Sequence, residues 1–233
     1  MNKMGIALLH HTGLGDHFMC NGLVHQLADK YGEVDLFCKE HLYKTINHLY
    51  MDFPNIKIIP IKNDSEDPYR YAANTQKDLI RVGFEHTDFN RFEESFYEQV
   101  GLDVDDEFAY FQFPSDLSGS KKLYEQVVAA KGKDYIFVHN VSSYKAFDLK
   151  IESTLPRFVV NKTDTDDVLD YIDTICNAKE VHIINSGLHN LVFQLLCHGK
   201  VNSDNVFFHD ARKPKDGGIA IRIPSDVKVI QYD

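Results

Sequence analysis

The sequence predicts an α/β protein made of two small, Rossmann-like, doubly wound parallel-sheet halves facing a cleft. Three observations carry this. Short apolar runs of strand length alternate with stretches of helical periodicity along most of the chain. The alternation blurs once, over residues 63–113, and then resumes more clearly. The 233 residues suffice for one large domain or two small ones, with a real core. Strands separated by helices imply βαβ units, and so parallel sheets covered on both faces.

In order along the chain, residues 4–9 read as a buried strand. Residues 16–31 read as a helix with Met19, Leu23 and Leu27 on one face, residues 34–38 as a second strand and 41–50 as a helix. A third strand at 56–61 is bounded by Pro54 and Pro60. An acidic, turn-rich loop follows at 63–68, then helical stretches near 72–81 and 92–100, another acidic turn at 101–107, and a helix entered at Phe113-Pro114-Ser115 that runs through 123–130. The division between halves falls there, giving domains 1–115 and 116–233. Beyond it come strands at 135–139 and 157–160, a helix at 166–177, a strand at 181–184 and a helix from Ser186. Leu188, Leu191, Val192, Leu195 and Leu196 form an apolar stripe on that last helix. Strands at 206–208 and 227–230 close the chain, separated by a Gly/Lys loop that reads as mobile.

Asp and Glu number 35 against 25 Lys and Arg, a formal charge of −10. Nucleic acid and anionic membrane both need a basic surface to displace counterions, so neither is an expected partner. Hydrophobic residues at 43% and charged residues at 26% exclude a disordered or collagen-like chain. Cys20, Cys38, Cys176 and Cys197 are scattered in apolar stretches and read as small buried hydrophobes in a reducing compartment. No run reaches membrane length, and a soluble cytoplasmic protein with no integral membrane segment is expected.

Open parallel sheets bind ligands beyond the carboxyl ends of their strands, and three loops at such ends are unusually polar. The first is His11-Thr12-Gly13-Leu14-Gly15-Asp16-His17. Gly13 and Gly15 allow a tight turn, but Phe18 stands where a dinucleotide fingerprint needs its third glycine, and no Walker ending follows. Asp16 is either an N-cap or a general base facing a cleft. His17, Asn21 and His25 recur opposite the apolar face and read as a solvated stripe whose first turn could line that cleft. The second loop, Asn140-Val141-Ser142-Ser143-Tyr144-Lys145, brings hydroxyls and a lysine to a strand end that suits a diphosphate. The third, Asn185-Ser186-Gly187-Leu188-His189, opens a helix whose first amides attract anions.

These stretches resemble a family. Gly13-Leu14-Gly15-Asp16 is similar to the N-terminal loop of heptosyltransferase-like (family GT9-like) glycosyltransferases of the GT-B fold. Ser143-Tyr144-Lys145-Ala146-Phe147 resembles their Ser-x-Lys-x-Trp stretch, with Phe147 in the aromatic position. Asn185-Ser186-Gly187-Leu188-His189-Asn190-Leu191 resembles their Asp-Thr/Ser-Gly-x-x-His-Leu turn, with Asn185 in place of the acid and His189 one residue early. The chain is shorter than typical members. The resemblance implies Asp16 as catalytic base. Around the donor it implies Ser143, Lys145, Ser186 and His189, with Asn140, Asn185 and Gly187 in the same loops, and it places Gly13, Gly15 and His17 in the acceptor loop. It also implies an acceptor-side domain at 1–115 and a nucleotide-sugar-binding domain at 116–233.

The remaining constellations read as structural. The twelve histidines show no metal-ligand spacing. Asp164, Asp166 and Asp167 precede a helix as dipole-favoured caps, and Asp103-Val104-Asp105-Asp106 is taken as surface. Arg212 and Lys213 are read as solvated charges. The expected function is metal-independent transfer of a sugar from a nucleotide donor to a carbohydrate or other hydroxyl acceptor, with no cofactor. The alternatives are a sugar-nucleotide epimerase of the same architecture, a catalytically silent nucleotide- or glycan-binding protein and, disfavoured by the absent glycine, a Rossmann-type oxidoreductase.

Overall fold

A computed structural model describes residues 5–142, 145–213 and 219–232. The loop at 214–218, expected to be mobile, lies outside the described residues. The chain divides into two compact units, Met1–Ser115 and Asp116–Asp233.

The first unit runs β1 (Ile6–Leu9), α1 (Leu14–Met19), α2 (Asn21–Tyr31), β2 (Val34–Lys39), a 3-10 turn at Glu40–Leu42, α3 (Tyr43–Leu49), β3 (Ile56–Ile61), α4 (Asp67–Thr75), β4 (Asp78–Arg81), α5 (Phe92–Gln99) and α6 (Asp106–Ala109). Its sheet has the order β3-β2-β1-β4, all parallel, with Ile6 opposite Val34 on one side and Asp78 on the other. Strands β1 and β2 are buried on both faces and read as continuous apolar runs. The edge strand β3 alternates instead, and tolerates the exposed Pro60 because an edge position need not donate to the ladder.

The helical expectation for 72–81 is corrected. The helix ends at Thr75 and the next residues form β4. Gln76, in the left-handed conformation at φ 56°, closes the helix while the Lys77 amide bonds back to the Ala72 carbonyl. A cap without glycine gives little warning in a sequence.

The expected helix over 16–31 is two helices. At its centre the Tyr97 hydroxyl donates to the Met19 carbonyl at 2.8 Å and accepts from the Leu23 amide at 3.3 Å. A side chain has entered the i to i−4 ladder and broken it at Cys20. The expectation of a solvated stripe is also corrected, since His17, Asn21 and His25 are all buried. The middle of that face, at Asn21 and Gly22, is covered by residues 106–112, while His25 packs on Tyr50 and Phe53. The Gln112 amide bonds to the Asn21 side chain at 2.8 Å, and Gly22 lies so close to α6 that a Cβ there would sit 2.5 Å from the Asp106 carbonyl oxygen.

The second unit runs α7 (Ser118–Lys131), β5 (Ile136–His139), β6 (Arg157–Val159), a 3-10 turn at Val168–Tyr171, α8 (Ile172–Cys176), β7 (Glu180–Ile184), α9 (Gly187–Cys197), a 3-10 turn at Ser203–Asn205, β8 (Val206–Asp210) and β9 (Lys228–Gln231). Its parallel sheet has the order β6-β5-β7-β8-β9. One core cluster joins Ile136, Val138 and Ile184 to Phe147 and Leu149 of the loop after β5, so that loop is fastened to the sheet. The apolar stripe of α9 is buried as its spacing predicts. Cys20 and Cys38 are buried, but Cys197 at the end of α9 is exposed and Cys176 half-buried, which corrects the uniform reading of the cysteines.

Candidate functional site

Both sheets reverse their winding once. In the first, the chain steps outward from β1 through β2 to β3 and then returns to the far side of β1 with β4. In the second, β6 lies on one side of β5 and β7 on the other. Crevices open outside the carboxyl ends of strands at such switch points. The three polar loops end there, the first after β1 and the other two after β5 and β7.

At the β1 end the N-cap is Gly13 and Asp16 is the third residue of α1. The Asp16 carboxylate accepts from the Gly13 amide and from its own amide, the backward-reaching half of a capping box. The N-cap reading of Asp16 is thereby corrected. A Cβ on Gly13 would sit 2.5 Å from Asp16 Oδ2, so a larger residue there would displace that carboxylate. Desolvation outweighs the two hydrogen bonds and lifts the Asp16 pKa to about 6, while the side chain stays half-buried rather than sealed. A carboxylate of that affinity can take a proton near neutral pH. Gly15 is half-buried in the same turn. His17 points inward instead, fully buried with its ring edge-on to His10 at 4.5 Å, so it offers no surface to an acceptor.

Four cations described around this edge have carboxylate partners. Lys39 pairs with Asp64, which also accepts from the Thr12 hydroxyl at 3.2 Å. Lys62 reaches Glu40 at 3.6 Å, Arg81 reaches Glu85 at 2.5 Å, and Arg91 binds Glu94 and Glu98. Next to the Gly13 loop, the His11 ring contacts Phe84 at 5.1 Å and Phe96 at 5.2 Å. Burial lowers the His11 pKa and leaves it a neutral ring. Gly83 makes this packing possible, since it holds φ 84° and a Cβ would be driven into the Phe96 ring.

In the second unit, the described residues on either side of the loop tip after β5 pair with each other, Val141 opposite Ala146. Asn140 and Phe147 exchange backbone and side-chain bonds, both at 2.8 Å, and the Ser142 amide donates to the Lys145 carbonyl at 2.9 Å. Asn140 thus shapes the loop. Lys145 is exposed with its Nζ 4.8 Å above the centre of the Phe147 ring, which sets the direction of the ammonium group. Ser143 and Tyr144 lie outside the described residues.

At the β7 end Ser186 caps α9 in a full capping box with His189. His189 Nδ1 lies against the Ser186 backbone, 3.1 Å from its amide nitrogen, and its buried Nε2 has no partner. Ser186 Oγ is 3.1 Å from Nδ1 of His139, the last residue of β5, so the neighbouring strand ends are joined. Burial drives both imidazoles to a pKa of about 4, leaving them neutral. Gly187, the first residue of α9, carries no side chain over the helix amides. Asn185 turns away from the loop tip and donates to the Ile219 carbonyl at 2.8 Å.

Arg212 is corrected from a solvated charge. It follows β8, is half-buried, and its guanidinium donates to the Asn185 carbonyl at 3.0 Å. Its place beside the cap appears only once β8 is known to neighbour β7. Lys213 is paired with Asp210 at 3.0 Å. Arg212 and the N-terminus of α9 are thus neighbours, and each is a group able to compensate an anion. Among the described residues, no helix is long and apolar enough to cross a membrane.

Set beside solved structures, the chain is similar in fold to a glycosyl transferase of family 9 from Veillonella parvula DSM 2008. The TM-score is 0.59 at 9% sequence identity, over 99% of this chain and 87% of that one. No protein-family model and no curated protein matches the sequence. Two parallel-sheet, Rossmann-like units of the GT-B kind are thus an architecture shared with a glycosyl transferase.

Proposed function

We propose that the chain is a glycosyltransferase moving a sugar from a nucleotide-activated donor to a hydroxyl acceptor, with Asp16 as general base. The observation that carries this reading is the state of Asp16. It is a half-buried carboxylate at a switch point, held by the Gly13 amide and brought by desolvation to a pKa of about 6. A structural cap gains nothing from a raised proton affinity, whereas a base working near neutral pH does.

In this reading the N-terminal unit supplies the base and the C-terminal unit receives the departing diphosphate. Asp16 takes the proton of the acceptor hydroxyl as its oxygen bonds to the anomeric carbon. The bond from that carbon to the phosphate oxygen breaks, and its electron pair leaves on the nucleoside diphosphate. Lys145, Arg212 and the first amides of α9 stabilise the charge that grows there. Because protein groups can perform this neutralisation, the reaction is proposed to be metal-independent, with no cofactor beyond the nucleotide sugar itself.

The test is a panel of sugar nucleotides incubated with the protein, with and without glycoside acceptors, in EDTA. Acceptor-dependent release of nucleoside diphosphate is expected. Binding without turnover would leave a nucleotide-binding protein, conversion of the donor sugar without transfer would indicate an epimerase, and recovery only on adding magnesium or manganese would overturn metal independence.

A further inference from the structure

We propose that the acceptor is an uncharged sugar, seated on the aromatic rings of Tyr69 and Phe84 at the β1/β4 crevice. This rests on the reading of Asp16 as the base, because an acceptor hydroxyl must come to that carboxylate. The edge around Asp16 offers two kinds of surface. One is aromatic: Tyr69 in the first turn of α4 and Phe84 after β4 are 44% and 36% exposed. The Arg81 guanidinium lies between them, 5.6 Å from the centre of one ring and 5.0 Å from the other. That contact fixes both rings at the mouth of the crevice, next to His11.

The second surface is ionic, and its cations stand beside carboxylates. Each of the four cations described at this edge is already matched by a carboxylate. His11 is neutral, and Asp16 adds a negative charge when ready to act. An acceptor bearing a carboxylate or phosphate would approach that charge with no cation assigned to it, and would be repelled. A neutral pyranose suits both surfaces. Its C–H face covers a ring, while its hydroxyls can donate to the carboxylates at the rim, such as the half-buried Asp64. A purely aliphatic ligand would use the rings but would cover the carboxylate rim without returning a hydrogen bond to it.

The proposal is tested with ligand-observed NMR on the full chain. The probes are methyl glucoside, methyl galactoside and methyl mannoside, with methyl glucuronide, glucose 6-phosphate and an octyl alcohol for contrast. Neutral glycosides should bind with saturation strongest on ring C–H protons. The two anionic sugars should bind about fivefold to tenfold more weakly, comparable to the loss of one stacked ring. Phe84→Ala and Tyr69→Ala should weaken neutral glycosides to a similar extent, Phe84→Tyr should restore binding, and nucleoside diphosphate affinity should stay constant.

Equal or tighter binding of the anionic sugars, indifference to both alanine variants, preference for the alcohol, or binding of no sugar would each overturn the proposal. Turnover of sugar nucleotides onto an acidic acceptor would overturn it while leaving a glycosyltransferase. Neutral sugars that bind at Phe84 with no sugar nucleotide consumed would uphold the subsite and remove the activity.

Discussion

The Tyr97 hydroxyl donates to the Met19 carbonyl at 2.8 Å and so stands inside the backbone of the helix that carries Asp16. The same oxygen accepts from Leu23, replacing one missing helical bond by two. The break at Cys20 separates α1, which carries Asp16, from α2.

Tyr97→Phe should therefore do more than destabilise. It strips partners from a buried carbonyl and amide, at a cost of about 1–3 kcal/mol. The two groups can meet again only if the helix becomes continuous, which moves α1. Stability should fall in a denaturant titration, and acceptor turnover should fall further than the unfolded fraction accounts for. Equal losses would confine Tyr97 to a structural role.

Asp16→Asn separates proton transfer from capping. The Asn carbonyl can still accept from the Gly13 amide, so the helix start survives. Turnover should fall roughly 10²–10⁴-fold. In the natural protein kcat/KM should rise as pH passes through about 6, and that limb should vanish in the variant. For stability the sign is the reverse of the usual carboxylate. The pKa is raised from 3.8 to about 6, so the folded state binds the extra proton and stability declines as pH rises across that window. Above it, melting should show Asp16→Asn at least as stable as the natural chain.

Gly13→Ala should act on the same carboxylate from the other side. A Cβ 2.5 Å from Oδ2 forces Asp16 to rotate. Turnover should drop with little change in melting temperature or in nucleotide affinity, read by calorimetry.

Acid should unfold the protein through its histidines. His10, His25, His189 and His209 are buried and His139 half-buried, and desolvation lowers the pKa of each from 6.5 to about 4. The unfolded chain binds more protons between those values, so stability falls as pH drops from 6.5 toward 4, opposite to the Asp16 contribution. His209 also belongs to a chain of hydrogen bonds. The Lys150 amide donates to Tyr232, whose hydroxyl meets His209 Nδ1 at 2.8 Å. His209 Nε2 meets His182 Nδ1 at 2.9 Å, and His182 Nε2 meets Glu180 at 2.9 Å. An amide can only donate and a carboxylate only accept, so every proton in the chain points the same way. Tyr232→Phe should steepen the acid loss in melts at stepped pH. An unchanged slope would separate this chain from the acid response.

Lys145→Ala should weaken nucleoside diphosphate binding by about 1.5–3 kcal/mol, the range of a charge-assisted contact, with the fold intact. Unchanged affinity would remove Lys145 from the donor groups.

Most of the strands were legible because alternating apolar runs separated by helical stretches leave few other architectures. The strand at Ile56–Ile61 was read to the residue. What was missed depended on long-range partners. Four residues, Asp78–Arg81, become a strand only because β1 has a free side to pair with. His17 and His25 are polar by sequence, and only the tertiary packing, with His10 against His17 and with Tyr50 and Phe53 against His25, shows that they are covered. Arg212 meets the Ser186 turn through the adjacency of β7 and β8, which no local spacing reveals. The three polar loops stood out because glycines and hydroxyls at strand ends are a local signal. The aromatic rim at Tyr69 and Phe84 did not, because its members come from separate connections.

Pro60 has a consequence outside the reaction altogether. A strand from another molecule laid along β3 would meet a ring where it needs a donor. The other outer strands, β4, β6 and β9, span only four, three and four residues. Neither sheet offers a long, regular border on which a second chain could crystallise its own backbone. At high concentration, these short or interrupted borders disfavour fibre growth along the described strands.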